Sequence, residues 1–200
     1  GARGPRPEVP VPYRVFWGFG RWLHGDWLQQ TNEGLENLPR DVPAFLLASN
    51  HSSHLDCSAV FVGAWEGGVD RVYAMGARDY FFKSWFRKWF VSNFMNVIPI
   101  SRRGIREREV QAVRDALRGS SNERRRAVVI FPEGTRSTTG ELGHFKQGAG
   151  YLAAKLGVPV VPVYIQGTRR SLPKQEFLPV PSRVIVKFGR PLPPPQLLEG

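Results

Sequence analysis

Short apolar runs alternate along this chain with longer stretches in which apolar residues recur every three or four positions, the pattern of strands followed by helices. Strand-length runs lie near Ala44, Val72, Val97, Ala127, Val160 and Val184. Helical periodicity predicts helices over Val11 to Leu28, Ser53 to Trp65, Tyr80 to Phe94, Ile105 to Gly119 and Lys146 to Gly157. This β–α alternation predicts an α/β fold: a single domain with a mostly parallel wound sheet flanked by helices, preceded by an amino-terminal amphipathic helix. Residues 1–12 are Pro-rich and read as a flexible lead or cloning scar, 13–192 as the folded domain, and 193–200 as a tail after the Pro191 to Pro195 run. The chain has 200 residues, enough for one domain with a proper core.

Two strand ends carry charge. Ala127-Val128-Val129-Ile130-Phe131 is a continuous apolar run, and Pro132 ends its ladder just before the turn Glu133 to Arg136. Val97-Ile98-Pro99-Ile100 runs in the same way into Ser101-Arg102-Arg103. Open α/β sheets bind ligands beyond the ends of their strands. Two such ends bearing Arg make a candidate phosphate clamp, because guanidinium binds phosphate bidentately.

A third strand end carries a base. In Asn50-His51-Ser52-Ser53-His54-Leu55-Asp56, His51 is a candidate general base and Asp56 a candidate carboxylate to orient its ring. Five positions on one helix rotate by about 500°, so the two side chains share no helical face. The pairing therefore needs His51 in a loop, with Ser53 as N-cap and Asp56 in the first turn. Ser53-x-x-Asp56 is also a capping-box-like start, which explains Asp56 without chemistry. Metal binding by His51 and His54 lacks a third ligand at useful spacing, and Cys57 is the only cysteine. No G-x-S-x-G elbow surrounds Ser52, Ser53 or Ser58.

Together these segments resemble the glycerolipid acyltransferases, the family of bacterial 1-acyl-glycerol-3-phosphate acyltransferase. Asn50 to Asp56 resembles the family's H-x-x-x-x-D block, Val97 to Arg102 its second block, Phe131 to Ser137 its F-P-E-G-T-R-S block, and Val158 to Val163 its fourth. Phe145-Lys146-Gln147-Gly148 resembles the F-K-x-G segment after the third block. The resemblance implies an O-acyltransferase that moves an acyl chain from acyl-CoA or acyl carrier protein to a lysophospholipid hydroxyl, with 1-acyl-glycerol 3-phosphate as the first acceptor to consider; the alternatives are glycerol 3-phosphate, lysophosphatidylethanolamine or another lysolipid as acceptor, or a non-catalytic module that binds anionic lipid. It implies His51 as base, Asp56 as its orienter, and Arg102, Glu133, Gly134, Thr135, Arg136 and Lys146 as acceptor-binding residues, with no metal and no cofactor. Asn96 and Ser101 stand where the family's second block commonly has Gly and Asp, a departure that bears on acceptor identity rather than on chemistry.

Charge and apolar length set the surroundings. Lys and Arg number 28 against 17 Asp and Glu, a net charge of +11, which calls for anionic partners. The Arg102 to Arg108 and Arg124 to Arg126 runs come with no nucleic-acid motif, so an anionic membrane surface is the expected partner. No apolar stretch reaches the roughly 18 residues of a transmembrane helix, and no signal peptide opens the chain. A stripe of Tyr13, Phe16, Trp17, Gly20, Leu23 and Trp27, and a second one of Phe81, Phe82, Trp85, Phe86, Trp89 and Phe90, suit either a core or a membrane interface. A peripheral or anchored membrane protein on the cytoplasmic side is expected. The single cysteine allows no intramolecular disulfide, which is compatible with a reducing compartment. The absent initiator Met and blunt carboxyl end suggest a segment of a longer chain.

Overall fold

The computed structural model describes residues 11–77, 96–101, 104–118, 125–172 and 179–195. The helix expected over Tyr80 to Phe94, with its aromatic stripe, and Arg102 lie outside them. In chain order the described elements are α1 (Val11–Trp22), a π-helical turn (Leu23–Trp27), β1 (Thr31–Glu33), a 3-10 turn (Leu35–Asn37), β2 (Ala44–Ser49), α2 (Asp56–Glu66), β3 (Arg71–Ala77) and β4 (Val97–Ile100). There follow α3 (Glu107–Arg118), β5 (Arg126–Ile130), α4 (Gly148–Leu156), β6 (Val160–Gln166), the short α5 (Thr168–Ser171) and β7 (Ile185–Phe188).

Seven strands form one sheet in the order β1-β7-β6-β2-β5-β3-β4. All neighbours are parallel except β6 and β7. Five strands, β6, β2, β5, β3 and β4, therefore end at the same edge, and Asn50, Ser101, Phe131 and Gly167 follow directly from four of them. That shared edge is where the sequence put its charged and basic loops.

Both faces of the central strands are covered, which explains their unbroken apolar runs. Side chains alternate: Phe45 and Leu47 of β2 join a core with α2, whereas Leu46 joins a second core with α3 and α4. All three are fully buried, and burying such a side chain contributes about 1.5–3 kcal/mol. β6 is covered on one face only. Val161, Val163 and Ile165 enter the first core while Tyr164 is exposed.

One local boundary is revised. The second helix begins at Asp56, not after Ser53, and Leu55 stands at its N-cap without a side-chain cap bond. The Ser53 hydroxyl still accepts from Leu55 N at 3.1 Å, the expected capping bond, and also donates to the carbonyl of Leu172 at 2.8 Å. The amino-terminal stripe is divided between two faces. Of its described members Gly20 is buried and Leu23 packs on the core, whereas Trp27 is exposed. The exposed apolar face of the helix is Val15, Phe19 and Trp22, with Trp27 beside them. The Trp22 ring lies 5.8 Å from Phe19 and 6.3 Å from Trp27, centroid to centroid. The side chains of Tyr13, Phe16 and Trp17 lie outside those described. Among the described residues, no helix is long and apolar enough to cross a membrane.

A buried histidine ties this amino-terminal segment to α2. His24, fully buried in the π-helical turn, approaches Ser58 Oγ with its Nε2 at 2.8 Å, and Ser58 Oγ donates to the carbonyl of Leu55 at 3.0 Å. Burial lowers the pKa of His24 to about 4, against a smaller opposing contribution from Gln30.

Candidate active site

The residue after β2, Asn50, continues the sheet with its side chain. Its Oδ1 accepts from Ile165 N at 2.7 Å and its Nδ2 donates to Ile165 O at 2.9 Å, so the loop leaves β2 pinned to β6. His51 follows in that loop, before the helix, as the rotation argument required. Its Nδ1 lies 2.9 Å from Asp56 Oδ2. A carboxylate accepts, so Nδ1 carries the proton and Nε2 keeps its lone pair. The imidazole is 21% exposed and stacks on Phe131, with ring centroids 4.0 Å apart.

Asp56 is fully buried, and four donors surround its carboxylate. Oδ2 accepts from Ser52 N at 2.6 Å, from Ser53 N at 2.8 Å and from His51. Oδ1 accepts from the Thr168 hydroxyl at 2.6 Å. The two readings of Asp56, loop capping and orientation of His51, are thus performed together by one carboxylate.

The loop after β5 grips His51 by its backbone. The His51 amide donates to Glu133 Oε1 at 2.8 Å, and Ser137 N donates to the His51 carbonyl at 2.7 Å. Glu133 Oε2 accepts from Gly143 N at 2.9 Å. Glu133 is buried, with one carboxylate oxygen on each of two main-chain amides. Gly134 has φ +70° and its amide closes the turn onto the carbonyl of Phe131. A side chain there would be strained and would meet the Lys146 ammonium at 2.8 Å. Gly134, Thr135 and Lys146 are exposed.

Arg136 Nη1 donates to His54 Nε2. Burial first, then the nearby positive charge of Arg136 and the His51 ring, lower the pKa of His54 against the opposing charge of Asp56. His54 is accordingly neutral at neutral pH, able to accept the bond. Arg169, next to Thr168, donates to the carbonyls of Thr138 and Thr139 and so holds the far end of the same loop.

Of the residues singled out from sequence, His51, Asp56, Glu133, Gly134, Arg136 and Lys146 converge on one sheet edge. Thr135 is on the same turn without a described side-chain partner. Among the described residues no group of His, Cys, Asp and Glu could hold a metal. Sequence reasoning missed Thr168, whose only signal was its position just after a strand that ends at this edge.

Residues 30–166 match the Acyltransferase family model, and the chain belongs to that family. It is 35% identical over 145 residues to the chloroplastic 1-acyl-sn-glycerol-3-phosphate acyltransferase BAT2 of Brassica napus, covering 70% of this chain and 38% of that protein. With the yeast 1-acyl-sn-glycerol-3-phosphate acyltransferase (Saccharomyces cerevisiae) it shares 31% identity over 140 residues, 68% of this chain and 42% of the other. The crystal structure of the 1-acyl-sn-glycerophosphate acyltransferase PlsC from Thermotoga maritima superposes with a TM-score of 0.65 at 27% identity, covering 91% of this chain and 69% of that one. The chain thus spans less than half the length of these two sequence relatives.

Proposed function

We propose that this domain transfers an acyl chain from a thioester, acyl-CoA or acyl carrier protein, to the free hydroxyl of a lysophospholipid, 1-acyl-glycerol 3-phosphate above all, giving phosphatidic acid. The observation that carries this reading is the His51–Asp56 pair at the strand ends, its imidazole partly open to solvent and its carboxylate sealed from it.

In the proposed reaction His51 Nε2 takes the proton as the hydroxyl oxygen bonds to the thioester carbonyl carbon. Asp56 stabilises the resulting imidazolium through Nδ1. The tetrahedral intermediate collapses with cleavage of the carbon–sulfur bond, and the imidazolium returns its proton to the departing thiolate. Arg136 and Lys146, with Arg102 as a third candidate from the sequence, are suited to the acceptor's phosphate. Glu133 works behind them, holding the His51 amide, because a carboxylate beside a phosphate repels it. Gly134 and Thr135 leave the turn open for the acceptor's glycerol.

An anionic membrane surface supplies the acceptor on this reading. The exposed Val15, Phe19, Trp22 and Trp27 suit insertion at the interface, and the chain's net charge of +11 favours acidic headgroups. Association is then peripheral, on the cytoplasmic face. The test is acyl transfer by the purified chain with acyl-CoA and with acyl carrier protein, against lysophospholipids of different headgroup and glycerol 3-phosphate. Turnover highest with 1-acyl-glycerol 3-phosphate supports the reading; a preference for a neutral lysolipid contradicts the phosphate clamp.

A further inference from the structure

We propose that Thr168 is a positioning residue for the His51–Asp56 pair, its hydroxyl fixing the rotation of the buried carboxylate so that Oδ2 stays on His51. The proposal rests on the reading of His51 as the base.

Three of the four donors on Asp56 come from His51, Ser52 and Ser53 and move with the loop they belong to. Thr168 is different: it is 112 positions away in sequence, fully buried, and set on the frame of the sheet. Its placement is enforced by Gly167, whose φ of +96° turns the chain out of β6 and whose missing side chain would come within 2.1 Å of the Arg183 carbonyl. The same corner is stitched to the catalytic loop twice more, by Asn50 to Ile165 and by Ser53 to Leu172. Those three bonds hold the loop itself. From the β6 corner it is Thr168 that reaches the carboxylate, and it holds the oxygen that His51 does not use.

Without that hydroxyl Oδ1 stays buried and loses its donor. A buried acceptor left unsatisfied is costly, and a carboxylate stripped of a donor binds a proton more tightly. The carboxylate relieves this by rotating away from His51 or by drawing a proton to the pair, and both lower the fraction of productive base. The other groups around it do not take over the titration. Cys57, adjacent in α2, is pushed up to about 12 by burial and by Asp56. His54 is held neutral beside Arg136, Glu133 faces the His51 amide, and Arg169 is turned to Thr138 and Thr139.

The experiment compares Thr168→Val, which keeps the volume, and Thr168→Ser, which keeps the hydroxyl, with wild type in the full chain, using acyl-CoA and 1-acyl-glycerol 3-phosphate. Thr168→Val is expected to lose about tenfold to a hundredfold in kcat with little change in either KM. The acid limb of its kcat/KM profile should move relative to wild type, because the contact between imidazole and carboxylate is altered. Thr168→Ser should restore both. Should Thr168→Val not fold, Thr168→Cys, close in size and a poor donor, gives the same readings. A wild-type rate and pH profile in the Val or Cys variant overturns the proposal. So does a rate loss shared equally by Thr168→Ser with an unmoved acid limb, which marks a packing role. Near wild-type turnover by folded His51→Ala would instead overturn the reading of His51 as base on which the proposal stands.

Discussion

The amide of His51 donates to Glu133 Oε1 at 2.8 Å, so an acidic residue from the loop after β5 holds the backbone of an imidazole from the loop after β2. With Ser137 N on the His51 carbonyl and Asp56 on the ring, the residue is held at its amide, its carbonyl and its side chain at once. Such restraint lets an imidazole stay oriented while partly open to solvent.

Glu133→Gln therefore acts on turnover. The amide replaces one acceptor oxygen with a donor that faces a main-chain N–H, a mismatch worth about 1–3 kcal/mol. The expected result is a fall of about 10²-fold in kcat with the acceptor KM within a few fold, since misplacing a catalytic group by about 1 Å has that effect. Steady-state kinetics over both substrates check it. A rise in acceptor KM alone would return Glu133 to the phosphate.

His24 makes the fold acid-sensitive. Its folded pKa is about 4, below the ordinary 6.5, so between those values the unfolded chain binds more protons and stability falls as pH falls. At pH 5 the loss from this group is about 2 kcal/mol relative to neutral pH. Denaturant melts at pH 7.5 and pH 5 should show a smaller pH-dependent drop for His24→Gln than for wild type. An equal drop in both proteins would assign the acid sensitivity elsewhere.

Membrane binding should follow the face that the fold leaves open. Phe19→Ser with Trp22→Ser is expected to reduce co-sedimentation with anionic vesicles. Wild-type binding should weaken as salt shortens screening to about 8–10 Å and below. Leu23→Ser, on the inward face, should instead lower the melting temperature. Binding by the Phe19/Trp22 variant equal to wild type would remove the interfacial role of this helix.

What the chain revealed of itself follows the physics of each signal. The strand from Ala44 to Ser49 was legible because both its faces are buried and its run is unbroken. β1 was not: Thr31-Asn32-Glu33 is a polar edge strand recruited by backbone bonds to β7, with no periodicity to read. On α1, aromatic residues occur around most of the helix, so periodicity alone does not choose an inward face; Val62 against Gly20 and the core against Leu23 do. His51 and Asp56 were legible by chemistry and spacing together. The brace by Glu133 and the anchor by Thr168 were not, since each depends on loops brought together from distant strands. Asp56 as both cap and orienter shows why two readings from one spacing need not compete.

The central claim is that His51 is the base of an acyl transfer, and the direct measurement is turnover of acyl-CoA with 1-acyl-glycerol 3-phosphate by His51→Ala beside wild type, with folding checked by circular dichroism and melting. The loss of a general base predicts a fall of about 10² to 10⁴ in kcat in a folded protein. Transfer at close to the wild-type rate by folded His51→Ala would contradict the account.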